Sequence, residues 1–165
     1  MPSHQLITSA DTSIRQVPAL FKWMPKIPGS TNLDYGGGGY DRGTEYLAGF
    51  GVENLVLDPF NRSEAHNAQV SARLHRRLAD TATLANVLNA ISEPYDRKLA
   101  LVLAKGLVKR SGVLYLACYR GKGDRPGPTR KGWQENRPVR SYLDEVRRVF
   151  PRACLQAGYI VAPWG

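Results

Sequence analysis

Apolar residues along this chain recur in two rhythms, and their alternation predicts strands and helices in turn. Thr31-Asn32-Leu33-Asp34 reads as a short extended run that collapses into Gly36–Gly39. Asp41 to Phe50 carries Tyr46, Leu47 and Phe50 at i, i+1 and i+4, a helical spacing with Gly51 as its stop. Val52 to Leu57 is nearly continuous in apolar residues, as a parallel strand buried on both faces should be, and ends at Asp58-Pro59. Ser63 suits the N-cap of a helix reaching about Leu78, with Val70, Leu74 and Leu78 four apart on one face. A strand then ends near Asn86. Ser92-Glu93-Pro94 opens a further helix, whose apolar face is read as Leu99, Val102, Leu103 and Leu107 and whose end is read as Lys109-Arg110-Ser111-Gly112. Val113 to Tyr119 reads as a central strand, 139–150 as an amphipathic helix stopped by Pro151, and 153–162 as a terminal hairpin.

Strands alternating with helices make an α/β three-layer fold with a mostly parallel sheet and a C-terminal antiparallel hairpin. Residues 1–29, punctuated by Pro18, Pro25 and Pro28, read as an N-terminal cap with a short helix around Arg15 to Trp23 lying over the sheet edge. Residues 30–165 form one domain, since 165 residues suit one continuous core and not two.

Charge adds a direction. The formal net charge is +9, with four Lys/Arg against six Asp/Glu in residues 1–60 and nineteen against eight in 61–165. A one-sided excess of that kind points to polyanions, nucleic acid first; a soluble basic surface is the other reading. No apolar run is long enough to cross a membrane and no secretory leader pattern is present, so a cytoplasmic, non-membrane protein is expected. Cys118 and Cys154 lie in apolar strand-like settings without metal spacing and are expected as reduced core residues. His66 and His75 read as solvated helix residues, and no metal site is expected.

Four consecutive glycines cost backbone entropy and need a reason, either left-handed φ angles or a ligand closer than a Cβ allows. A flexible linker would be padded with serine and polar residues, whereas Leu33, Tyr35 and Tyr40 flank this cluster. No Lys-Ser or Lys-Thr follows, which excludes a Walker loop, and Asp41 or Arg42 stands where a dinucleotide fingerprint needs its third glycine. What remains is hydrophobic–Asp–x–Gly–x–Gly at Leu33, Asp34, Tyr35, Gly36, Gly37 and Gly38, with a second acid, Asp58, ending the next strand.

On these residues the chain resembles the class I S-adenosylmethionine-dependent methyltransferases over roughly residues 30–162. The resemblance implies a Rossmann-like methyltransferase fold, with S-adenosylmethionine as cofactor. Asp34, Tyr35, Gly36, Gly37 and Gly38 would lie against its methionine part, and Asp58, Pro59 and Phe60 beside its ribose. It places Asn86 at the strand end facing the methyl group. Leu-Asp-Tyr-Gly-Gly-Gly, Asp-Pro-Phe-Asn, Asn-Val-Leu-Asn and Gly-Trp-Gln-Glu-Asn-Arg also look like small stand-alone methyltransferase-like proteins of bacteria and phages. The pattern departs from the family at three places. Tyr40 replaces a third glycine, the sheet is reduced because a third strand between Asp58 and Asp80 has no room, and no Asp/Asn-Pro-Pro-aromatic or Pro-Cys signature follows.

Methyl transfer is an in-line displacement that relies on positioning, so neither a triad nor a metal is needed. Asn86 or Asn89 is the candidate to orient a substrate amine or hydroxyl, and each could equally serve the turn's own backbone. The basic 120–138 loop offers Arg130, Lys131 and Arg137 for phosphates and Trp133 for stacking on a base, or Trp133 anchors the loop on the core. An enzyme acting on nucleic acid, DNA favoured, is the leading expectation. A methyltransferase for a small molecule or protein, a cofactor-binding protein without transfer activity, and a phosphate-gripping basic module are the others.

Overall fold

A computed structural model describes residues 16–130 and 132–165. Six strands form one sheet in the order β2-β1-β3-β4-β8-β7: β1 (Thr31–Tyr35), β2 (Glu53–Leu57), β3 (Ala79–Ala85), β4 (Val108–Ala117), β7 (Cys154–Gln156) and β8 (Tyr159–Pro163). The first four are parallel, while β8 runs antiparallel to β4 and to β7. β5 (Gly127–Thr129) and β6 (Gly132–Gln134) form a separate two-stranded ribbon.

Side chains alternate across the sheet, so each face has its own core. On one face Leu33, Leu84, Leu114 and Leu116 meet α3 (Glu64–Arg76) through Val70 and Leu74, α4 (Pro94–Gly106) through Leu101, and α5 (Leu143–Arg147) through Val146. On the other, Tyr115 and Tyr159 meet α1 (Ala19–Trp23) through Leu20 and Phe21, and α2 (Arg42–Ala48) through Leu47. The short helix of the N-terminal segment thus packs on the sheet's face over β4 and β8, and not over an edge as expected.

That second face also carries a polar stripe. The register sets Asn32 opposite both Asn54 and Thr81, and Asp34 opposite Thr83. Asn32 Nδ2 donates to Asn54 Oδ1 at 2.8 Å and to Thr83 Oγ1 at 3.0 Å, Thr81 Oγ1 donates to Asn32 Oδ1 at 2.8 Å, and Asn54 Nδ2 reaches Thr44 of α2 at 3.0 Å. The amides therefore satisfy one another beneath α2, as buried polar groups must.

Several expected details are corrected. α4 buries Arg97, Ala100, Leu101 and Ala104, leaving Leu99, Val102 and Leu103 more than two-fifths exposed. It ends at Gly106, and Lys109-Arg110 belong to β4, where Lys109 Nζ bonds Asp80 Oδ1 of β3 at 2.5 Å. The 139–150 segment is a 3₁₀ turn (Val139–Tyr142) leading into the single short helix α5. Cys154 is exposed on the hairpin and is no core residue; Cys118 is half-buried, with burial pushing its thiol up to about 12. His75 is exposed as expected, but His66 is half-buried and its Nε2 lies 2.8 Å from the Val56 carbonyl oxygen.

Candidate active site

The connections leaving β1 and β2 cross to opposite faces of the sheet, so the chain diverges at the carboxyl end of β1, where open α/β sheets hold their ligands. A cavity of about 630 Å³ opens there, floored by Tyr35 and the glycines after β1, by Asp58 after β2, and by Ala85 and Asn86 at the end of β3.

The glycine loop turns because Gly36 and Gly38 take φ of 73° and 81°. A Cβ on Gly36 would sit 2.7 Å from Val87 Cγ2, and one on Gly37 would overlap the Asp34 carboxylate. The loop is also tied down. Gly36 N–H donates to Leu57 O at 2.8 Å, Gly38 N–H to Asp58 Oδ2 at 2.8 Å, and Arg62 Nε to Gly38 O at 2.7 Å. Arg62 reaches on to Asp41 at 2.8 Å.

The two acids named from the motif differ in environment. Asp58 is 3% exposed, and its oxygens accept from Gly38 N, Phe60 N, Asn61 N and Asn61 Nδ2 at 2.8–3.1 Å, so it clasps the loop to the β2–α3 turn. Asp34, also 3% exposed, accepts from Thr83 Oγ1 at 3.0 Å and closes the polar stripe at the cavity end. Burial raises its carboxyl to about 6; the hydrogen bonds from Thr83 and Asn54 oppose the shift, and the Asp58 charge adds to it.

Asn86 lines the cavity in a left-handed conformation, φ 60°, and its Oδ1 accepts the Tyr119 N–H at 2.8 Å. Pro59, Phe60 and Tyr40 line the mouth, both rings more than half exposed. Asn89 is not among the lining residues. It is 3% exposed in the 3₁₀ turn Leu88–Ala90, where Nδ2 donates to Gln134 Oε1 at 3.3 Å.

The residues expected for nucleic acid separate. Arg130 is exposed on the ribbon, and Lys131 lies outside the described residues. Trp133 is half-buried, with Nε1 donating to Glu135 Oε1 at 2.8 Å. Arg137 pairs with Glu135 and Glu145 at 3.1 and 2.6 Å and stacks on Tyr142. It belongs to a largely buried ion network completed by Arg97, whose guanidinium meets Glu145 at 2.7 Å and Glu135 at 3.4 Å.

Sequence reasoning passed over three further lining residues. The side chain of Asp96, in the first turn of α4, forms no hydrogen bond or ion pair with another described residue, and neither do the side chains of Lys22 and Arg42 at the rim. Ile91, Leu99 and Leu103 complete an apolar wall, which explains why the latter two stand away from the core. Helical periodicity marks these leucines as a face, but not which neighbour that face meets. Among the described residues no group of His, Cys, Asp and Glu could hold a metal ion, and no helix is long and apolar enough to cross a membrane.

No family model matches the sequence, and curated proteins return no match. Solved structures do match. The chain is similar to a Burkholderia thailandensis 1,6-didemethyltoxoflavin-N1-methyltransferase bound to 1,6-didemethyltoxoflavin and S-adenosylhomocysteine, at 16% identity and TM-score 0.57, over 82% of this chain and 70% of that one. It is also similar to an S-adenosylmethionine-dependent methyltransferase from Mesorhizobium loti, at 13% identity and TM-score 0.54, over 87% and 94%. The chain has the fold of the S-adenosylmethionine-dependent methyltransferases. Within this methyltransferase fold the sheet is short at one side: among the described residues no strand lies outside β2, and α3 leads directly to β3.

Proposed function

We propose that this chain is an S-adenosylmethionine-dependent methyltransferase whose acceptor is a nucleic acid, DNA first. The observation that carries the reading is the glycine loop at the carboxyl end of β1, its backbone lining a cavity between the carboxylates of Asp34 and Asp58.

The donor set fits that cofactor. Carboxylates and loop backbone suit a ligand with an ammonium and a sulfonium. When bound, the cofactor supplies an activated methyl group. Asp34 and the Gly36–Gly38 backbone would hold its methionine end, and Asp58, already clasped to the loop, shapes the ribose end with Asn61. The amide of Asn86 orients the acceptor, and Asp96 accepts a proton from an acceptor N–H or O–H. Ile91, Leu99 and Leu103 exclude water and offer a flat apolar wall to a planar group such as a base. That same wall favours, as a second reading, a small aromatic acceptor. A cofactor-binding protein without transfer activity is the third.

Titration calorimetry with S-adenosylhomocysteine is expected to show saturable one-to-one binding, weakened at least tenfold by Gly36→Ala, where the left-handed φ and Val87 both oppose a Cβ. No heat at millimolar ligand overturns the reading. Binding without methyl incorporation into DNA, RNA or small aromatic compounds moves it to the third.

A further inference from the structure

Among the described residues, the cations held by carboxylates stand apart from those of one loop. Arg62, Arg73, Arg97, Lys109 and Arg137 are held by carboxylates and serve the fold. Lys122, Arg125 and Arg130 are exposed, and their side chains make no hydrogen bond or ion pair with another described residue; Arg120 has only a 3.5 Å contact to the adjacent Gly121 carbonyl. All four follow Tyr119 in one stretch of twelve residues whose only acid is Asp124.

Tyr119 itself is 53% exposed while its backbone is fixed on both sides. Its N–H donates to Asn86 Oδ1 at 2.8 Å, and its carbonyl accepts from Gln134 Nε2 at 3.0 Å. The loop beyond is built around Asn136, whose Oδ1 accepts from Gly123 N at 3.2 Å and whose Nδ2 donates to Arg125 O at 2.8 Å. Side chains on Gly121 or Gly123 would overlap Asn136, so the loop wraps this residue closely. A shaped loop thus presents an aromatic ring and four uncommitted cations, one hydrogen bond away from the cavity-lining Asn86.

We propose that Tyr119 with Arg120, Lys122, Arg125 and Arg130 forms the docking surface for single-stranded nucleic acid, leading it to the cavity at Asn86. This deepens the acceptor reading above and rests on it. The ring supplies a stacking face that only an unpaired base can use, and the cations track the phosphates. Duplex has no free base face for a lone exposed tyrosine, so the ring favours an unpaired strand over a duplex. Trp133, the aromatic the sequence suggests, instead ties its indole N–H to Glu135 within the loop's base.

The test is fluorescence anisotropy of the full chain with a labelled oligothymidylate of about 16 nucleotides across a salt series. Tyr119→Ala is expected to weaken binding by about fivefold or more, and Tyr119→Trp to preserve it. Arg120→Gln with Arg125→Gln and Arg130→Gln is expected to flatten the slope of log K against log salt by about 2, whereas Arg148→Gln, just past the end of α5, leaves it unchanged. S-adenosylhomocysteine affinity and melting temperature, measured on the same variants, should not move. A neutral Tyr119→Ala, equal affinity for polyglutamate or duplex, or a slope lost equally with Arg148→Gln overturns the proposal. If the oligonucleotide does not bind while S-adenosylhomocysteine does, the docking surface falls and the methyltransferase reading stands; if the variants behave as expected but S-adenosylhomocysteine does not bind, the acceptor reading falls instead.

Discussion

Asp34 joins two roles, ending the polar stripe under α2 and facing the cavity from below Gly37. Its folded carboxyl titrates near 6 against an ordinary 3.8, so between those values the folded state holds a proton that the unfolded chain has lost. The favourable contribution is complete below about pH 4 and is lost as pH rises through about 6. Asp34→Asn is expected to remove this dependence, so that urea unfolding at pH 5 and pH 7.5 differs by about 1 kcal/mol more in the wild type than in the variant. An ammonium group placed beside the carboxyl reverses the shift. Binding of S-adenosylhomocysteine near pH 6 should therefore release a proton, read by calorimetry in two buffers of different ionisation enthalpy. The acid itself was legible in its spacing to Gly36 and Gly38. Its burial was not, because Thr83 and Asn54 come from strands that only the register brings alongside.

At the scale of elements, α4 shows what periodicity cannot decide. Its leucines at 99 and 103 read as core, yet the helix turns Arg97 inward, because Glu135 and Glu145 arrive from segments about 40 and 48 residues further along the chain to meet it. No local pattern announces such a partner. Arg97→Met leaves Glu135, itself 6% exposed, without that compensation and should cost about 3 kcal/mol in urea unfolding. Pairing it with Glu135→Gln should recover part of the loss. The start of β4 was hidden for the same reason: Lys109 and Arg110 look like a basic helix end, but Asp80 across the sheet accepts Lys109 into a strand. By contrast, the Ser63 cap, the Val52–Leu57 run and the terminal hairpin were readable, since each signal is complete within a few residues.

At the scale of the whole molecule, one sheet divides the labour. One face carries the larger apolar core, the other a smaller core and the polar stripe, and the carboxyl edge gathers the cavity, the ion network and the basic loop. The pairing of β1 with β3 has a consequence in time. Asn32 and Thr81 are 49 positions apart, and α2, β2 and α3 must be placed before that pair closes, whereas β3, α4 and β4 are consecutive. Loop closure therefore favours the β3–α4–β4 unit as the folding nucleus, with β1 docking later. Leu114→Ala should accordingly slow refolding, with a Φ value above about 0.5, while Leu33→Ala, of similar cost at equilibrium, should mainly speed unfolding. Until β1 arrives the glycine loop has no partner in Asp58 or Val87, so the ligand cavity is the last part of the molecule to be born and the first to come undone.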